Sequence, residues 1–145
     1  MFVGIGNPLR GDDAFGPELV SRIQGKVRAV CLDVGTAPES YAGKIAREKP
    51  GTIVLVDAVH LGKAPGAYEL LEKDDILETG FTTHDLSPHL LIDYLEKETG
   101  AAVYLLAAQP ETLEMGSEMS GPVRETLDRL VDRILARDLT EALNA

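Results

Sequence analysis

At 145 residues the chain is long enough for one domain with a substantial core, and its 44% hydrophobic and 26% charged residues are those of an ordinary globular protein. A formal net charge of −10 speaks against nucleic acid and against an anionic membrane surface, since both require Lys and Arg to meet phosphate. The single cysteine, Cys31, excludes an internal disulfide and any Cys-x-x-Cys metal or redox site.

Met1 leads straight into an apolar stretch, with neither a basic nor a hydrophobic leader region, and no apolar run reaches the length of a membrane span. A cytoplasmic protein is therefore expected. Strand one is predicted over residues 2–5 and a helix over 14–24, where Phe15, Leu19, Val20 and Ile23 form one apolar face. Between them, Gly4, Gly6 and Gly11 precede the adjacent carboxylates Asp12 and Asp13. The glycines depart from the dinucleotide-binding spacing, and two acids stand where a phosphate would sit, so a cation or proton-transfer site is the better reading. Asp12 either joins that site or caps the following helix.

Residues 27–32 read as strand two, with Cys31 a small buried residue. A turn over 33–36 leads to Pro38, which opens a helix running to 48. Residues 52–56 form the strongest strand, a β-branched run apolar on both faces as a central parallel strand should be, ending at Asp57. A shorter edge strand is expected over 67–71, then an acidic turn over 72–75. Ser87 and Pro88 are an N-cap and first helical residue, and that helix stops at Gly100. The last strand covers 102–107, a polar loop 110–119, and an amphipathic helix 121–137.

Alternating strands and helices predict a single three-layer α/β domain over 1–145: a mostly parallel twisted sheet of about five strands, helices on both faces, phosphorylase/hydrolase-like. Parallel crossovers would gather the strand ends on one edge, with Asp12, Asp13, Asp33 and Asp57 there and His84 within reach from its loop. Carboxylates with a histidine suit a hard-to-borderline metal ion. Asp33 either orients a substrate or closes a turn. His60 is an added ligand or, as the favoured reading, a surface histidine at a strand end; His89 is read as packing or solvated.

In their order and spacing these residues resemble the [NiFe]-hydrogenase maturation endopeptidases. The pattern includes Gly4-x-Gly6-Asn7-x-Leu9-x-x-Asp12-Asp13-x-x-Gly16, Asp33-x-Gly35-Thr36, Val56-Asp57-Ala58, Thr82-Thr83-His84-x-Leu86 and Gln109-Pro110. Pro38-Glu39 and Thr83-His84 look closest to the branch serving formate-hydrogenlyase-type and energy-converting hydrogenases. The resemblance implies removal of a C-terminal extension from a hydrogenase large-subunit precursor after nickel insertion. It implies Asp13, Asp57 and His84 as catalytic and nickel-contacting residues, and Asp12, Asp33, Gly35 and Thr36 on the substrate side. It further implies nickel supplied by the substrate with no tightly bound resident metal, an aspartic-type or metal-assisted peptidase, and a monomer. Only two residues precede Val3, fewer than is usual in that family. The alternatives are a non-catalytic nickel-sensing maturation factor and, remotely, a peptidyl-tRNA hydrolase, which shares Gly-x-Gly-Asn-Pro but whose substrate the acidic balance disfavours.

Overall fold

The computed structural model describes residues 1–82 and 86–144, with side chains described as far as Arg137. Five strands form one sheet in the order β2-β1-β3-β5-β4: β1 Phe2–Gly4, β2 Cys31–Asp33, β3 Thr52–Ala58, β4 Tyr68–Leu71 and β5 Ala102–Ala108. All neighbours are parallel except β4, which runs antiparallel to β5 at the edge. The helices are α1 Phe15–Ile23, α2 Ala42–Arg47, α3 Lys73–Leu77, α4 Pro88–Thr99 and α5 Gly121–Asn144.

The sheet has a core on each face. Strand alternation sends Ile53 and Leu55 toward Ile45 of α2, Ile76 of α3 and Leu91 and Leu95 of α4. Val56 and Ala58 face the opposite way, with Phe15 and Leu19 of α1 and Val123 and Leu127 of α5. This is the expected three-layer α/β architecture. β1 is the point from which the chain goes first outward to β2 and then across to β3, a switch in strand order at which open α/β sheets bind ligands.

Several boundaries differ from the sequence expectation. β2 is shorter than 27–32 because β1 offers three residues to pair with, Phe2 to Cys31, Val3 to Leu32 and Gly4 to Asp33. β3 and β5 pair from Thr52–Ala102 through Ala58–Ala108, so Asp57 lies inside the strand rather than after it. The helix expected over 38–48 is a 3-10 turn, Pro38–Tyr41, followed by α2, and another 3-10 turn, Gly11–Ala14, precedes α1. The acidic turn at 72–75 is instead the start of α3, where Asp74 and Asp75 sit in the first turn and complement the helix dipole. Its single fully buried side chain, Ile76, leaves no periodicity to read. α4 begins as expected: Ser87 Oγ accepts from the Leu90 amide at 3.2 Å, and Gly100 ends the helix at φ 71°. α5 continues beyond 137 to Asn144. Cys31 is buried and free, as expected.

Glycines set how closely α1 approaches the sheet. A Cβ on Gly16 would lie 2.3 Å from the Val56 carbonyl oxygen and 2.5 Å from that of Ile5, and one on Gly4 would lie 2.6 Å from the Gly16 carbonyl oxygen. Gly16→Ala should therefore force helix and sheet apart and cost about 1–3 kcal/mol of stability. A Cβ on Gly43 in α2 would meet only the end of the Arg47 side chain, at an ordinary contact distance of 3.7 Å, and Gly43→Ala should stabilise by about 0.5–1 kcal/mol. Denaturant unfolding of both variants checks the contrast; equal effects would contradict the close-approach account.

Candidate active site

The carboxyl ends of β1 and β3 open into a cavity of about 400 Å³. Ile5, Gly6 and Asp13 line it from the β1–α1 turn, Asp57 and His60 from the end of β3, and Thr36 from the loop after β2. Phe81 and Thr82 close another side.

Asp57 continues the column of Ile53 and Leu55 on its strand face, which is why a carboxylate at this position is buried, at 7% exposure. Its Oδ1 is fully enclosed and without a hydrogen-bond partner among the described residues. Burial pushes the Asp57 carboxyl well above the usual carboxylate range, and the Asp13 charge pushes the same way, against a smaller opposing effect of the Ala58 backbone. Asp13 is half-buried, and its Oδ2 accepts from the Asn7 amide at 2.7 Å. That bond is possible because the turn wraps tightly: a Cβ on Gly6, at φ 143°, would fall 1.9 Å from the Asp13 carbonyl oxygen.

Asp12 behaves differently from its neighbour. It has 0% exposure, and its carboxylate accepts from four donors across the chain. The Glu111 and Thr112 amides reach Oδ2 at 2.7 and 3.1 Å, and Ser120 Oγ reaches it at 2.9 Å. The Ser120 amide reaches Oδ1 at 2.7 Å. Asp12 thus caps no helix, contrary to that expectation, and is not among the residues lining the cavity; it is an internal anchor for the loop 111–120. The charge is tolerated in the interior because charge-assisted bonds replace its hydration.

Asp33 is exposed, and its Oδ1 accepts from the Gly35 amide at 3.0 Å, the turn-closing reading. Gly35, at φ 59°, presents its carbonyl to the Gly6 amide at 2.8 Å and so ties this turn to the one after β1. Thr36 alone of that trio lines the cavity. His84, with Thr83 and Asp85, lies outside the described residues. Among the described residues no three His, Cys, Asp or Glu side chains come together to hold a metal ion. His89 is exposed and pairs with Asp93 one turn on, at 2.9 Å, away from the cavity lining.

Two residues without an assigned role in the sequence reading prove central. Arg10 lines the cavity and commits its Nε to the Leu113 carbonyl at 3.1 Å. Gln109, only 7% exposed, binds the segment after β3: its Oε1 accepts from the Leu61 amide at 2.5 Å and from that of Lys63 at 3.4 Å. The available signal was a lone amide directly after Ala107-Ala108, a polar group at the end of an apolar strand.

A buried carboxylate with one donorless oxygen thus lies beside a second carboxylate at a switch in strand order. The HycI hydrogenase maturation protease profile matches residues 17–137. The chain belongs to the hydrogenase maturation protease family. The hydrogenase 3 maturation protease of Escherichia coli K12 is 30% identical over 133 residues, covering 90% of this chain and 85% of its own. The crystal structure of the [NiFe] hydrogenase maturation protease HycI from Thermococcus kodakarensis superposes with a TM-score of 0.83 at 35% identity, covering 93% of this chain and 88% of that one. The hydrogenase maturating endopeptidase HybD of Escherichia coli gives a TM-score of 0.72 at 26% identity, covering 97% and 91%. The family match begins after the Gly4–Gly16 turn and so is independent of the Asp12-Asp13 pair.

The two buried aspartates should respond oppositely to substitution. Below about pH 4 both native and unfolded Asp57 are protonated; as pH rises from there, the unfolded chain releases a proton that the native state retains. Asp57 therefore lowers stability progressively until the pH passes its raised native value. Asp57→Asn should match the wild type in acid and become the more stable protein as pH rises. Asp12→Ala should lose about 3 kcal/mol or more at neutral pH, because three backbone amides are left without their acceptor. Denaturant unfolding from pH 3 to 8 reads both effects; a stability gap for Asp57→Asn that shrinks with rising pH would refute the assignment.

Proposed function

We propose that this protease removes the C-terminal extension of a [NiFe]-hydrogenase large-subunit precursor after nickel insertion, and that nickel already seated in the substrate is its recognition element. The observation that carries the reading is the unpartnered Asp57 Oδ1, buried in the cavity beside Asp13. A carboxylate oxygen held there without a donor is ready for a cation or a proton, and the upward shift of Asp57 makes it a better proton acceptor than an ordinary carboxylate. Asp13 and Asp57 would contribute oxygens to the nickel of the precursor, and His84 a nitrogen; imidazole favours nickel over the magnesium, calcium or manganese that oxygens alone would select. Thr82, two positions before His84, lines the cavity, which supports a place for that loop in the site.

In this reading Asp57 takes a proton from the attacking water, giving an aspartic-type or metal-assisted peptidase. Asp13, positioned by the Asn7 amide, keeps Asp57 company as a second anion and is complete only when a cation arrives. Thr36 and the turn held by Asp33 and Gly35 form the rim on the substrate side. The protein works in the cytoplasm as a monomer; among the described residues no helix is long and apolar enough to cross a membrane.

The test incubates purified precursor, with and without nickel, with wild type, Asp13→Asn, Asp57→Asn and His84→Ala. Wild type should cut only the nickel-loaded form, and loss of a general base in Asp57→Asn should cost roughly a hundredfold to ten-thousandfold in rate. Asp13→Asn and His84→Ala should be markedly slower on the same precursor. Cleavage of nickel-free precursor, full activity in His84→Ala, or nickel-dependent binding without cutting would each overturn the reading.

We also infer that the enzyme keeps no metal of its own, because the proposed site has two carboxylates and one imidazole and no thiolate. Elemental analysis of protein purified without added metal should find no stoichiometric ion; one that resists chelators would sink the inference.

A further inference from the structure

His60 stands in the wall between the active-site cavity and a second, acidic hollow of about 380 Å³ lined by Glu69, Asp75 and Glu78. It follows Asp57 by three residues, and the parallel pairing of Ala58 with Ala108 carries the two chain segments out of the sheet side by side. That register is why His60 meets Gln109: Gln109 Nε2 lies 3.3 Å from His60 Nδ1.

The direction of that bond follows from the backbone around it. The Leu61 and Lys63 amides can only donate, so the Gln109 atom they converge on is the carbonyl oxygen. The amide nitrogen must then face the other way, where it donates to the Pro110 carbonyl at 3.1 Å. A nitrogen so oriented has its second hydrogen for His60, and Nδ1 can receive it only as a bare lone pair. In a neutral ring the proton is then on Nε2. No described residue takes that N–H, and His60 is exposed.

We propose that Gln109 locks His60 in the tautomer protonated at Nε2, and that this N–H donates to a backbone carbonyl of the peptide strand being cut. The role rests on the proteolytic reading above and adds two residues to it: His60 as a substrate-binding donor and Gln109 as its positioning residue. A peptide needs donors as well as acceptors, and the cavity is rich in acceptors. Asp13 and Asp57 are carboxylates, and the Arg10 guanidinium, with one of its five N–H groups committed to Leu113, brings charged donors from the β1–α1 turn. His60 supplies a neutral donor on the wall beside them, fixed in place by an amide that three backbone groups of the Leu61, Lys63 and Pro110 peptides hold still.

Nitrogen-15 NMR of the substrate-free protein tests the lock directly. His60 should show its proton on Nε2 whenever the ring is neutral, without averaging between tautomers. In Gln109→Glu, where a carboxylate replaces the amide donor, Nδ1 should be protonated instead. A wild-type ring protonated at Nδ1, or one that averages, would overturn the proposal without any appeal to activity. Cleavage of nickel-loaded precursor tests the donor. His60→Ala should lower the rate by roughly ten- to a hundredfold, the worth of one hydrogen bond to substrate, and His60→Gln, which keeps an N–H, should recover most of it. Undiminished cleavage by His60→Ala would refute the donor role. Failure of the wild type to cut any precursor would instead refute the proteolytic reading, and the donor role with it, leaving the NMR result to judge the lock.

Discussion

The site depends on how closely α1 lies against the sheet. No side chain separates Gly16 from the backbone of Ile5 and Val56, or Gly4 from Gly16, so helix and strands meet main chain to main chain. The turn between them is equally tight at Gly6, whose missing side chain leaves room for the Asp13 backbone. This contact is what brings Asp13, from the face covered by α1, over the end of the sheet to Asp57, which belongs to the opposite face. Two carboxylates that belong to different layers share one cavity because the layers touch there without side chains.

That arrangement is costly by itself. A buried Asp57 with an unpartnered oxygen and a neighbouring anion is disfavoured in the charged form, and the fold must offset this elsewhere. Asp12 is the counterpart. Its carboxylate is buried more completely, yet each of its oxygens is met by donors, so it anchors rather than strains. Two buried residues of the same type thus do opposite things: Asp12 ties the loop 111–120 to the β1–α1 turn, and Asp57 keeps one oxygen without a donor inside the cavity. An enclosed oxygen without a donor is uncommon in a folded protein, and inside a cavity beside a second carboxylate it marks Asp57 as a candidate functional group.

Gln109 performs for the other side of the cavity what Asp12 performs for this one. Through one amide it fixes the Leu61–Lys63 backbone and the ring of His60, and its own main chain bonds to Gly66 and Ala67. Gln109 directly follows β5 and Asp12 lies in the 3-10 turn before α1, and both tie down loops rather than helices.

Much of this was legible in the sequence. Element types and the sheet's mixed character follow from hydrophobic period, which depends only on which faces are buried: the β-branched run 52–56, the Ser87-Pro88 start and Gly100 stop of α4, and the short edge strand near 68–71 all stand where the pattern put them. The convergence of Asp13 and Asp57 on one cavity was legible too, because parallel strands bring the turn after β1 and the end of β3 to the same edge. What sequence could not decide was partnership. Whether Asp12 caps, binds or anchors depends on donors more than 98 positions away, at Glu111, Thr112 and Ser120. The length of β2 depended on the three residues β1 could pair, and α3 on a single buried isoleucine, neither of which has a local signature. Gln109 and His60 were visible as letters, but a tautomer is set by which atoms face each other. Periodicity records burial, which is averaged over an element and survives in the sequence; a hydrogen bond between distant residues is a single geometric event, and only the folded chain determines it.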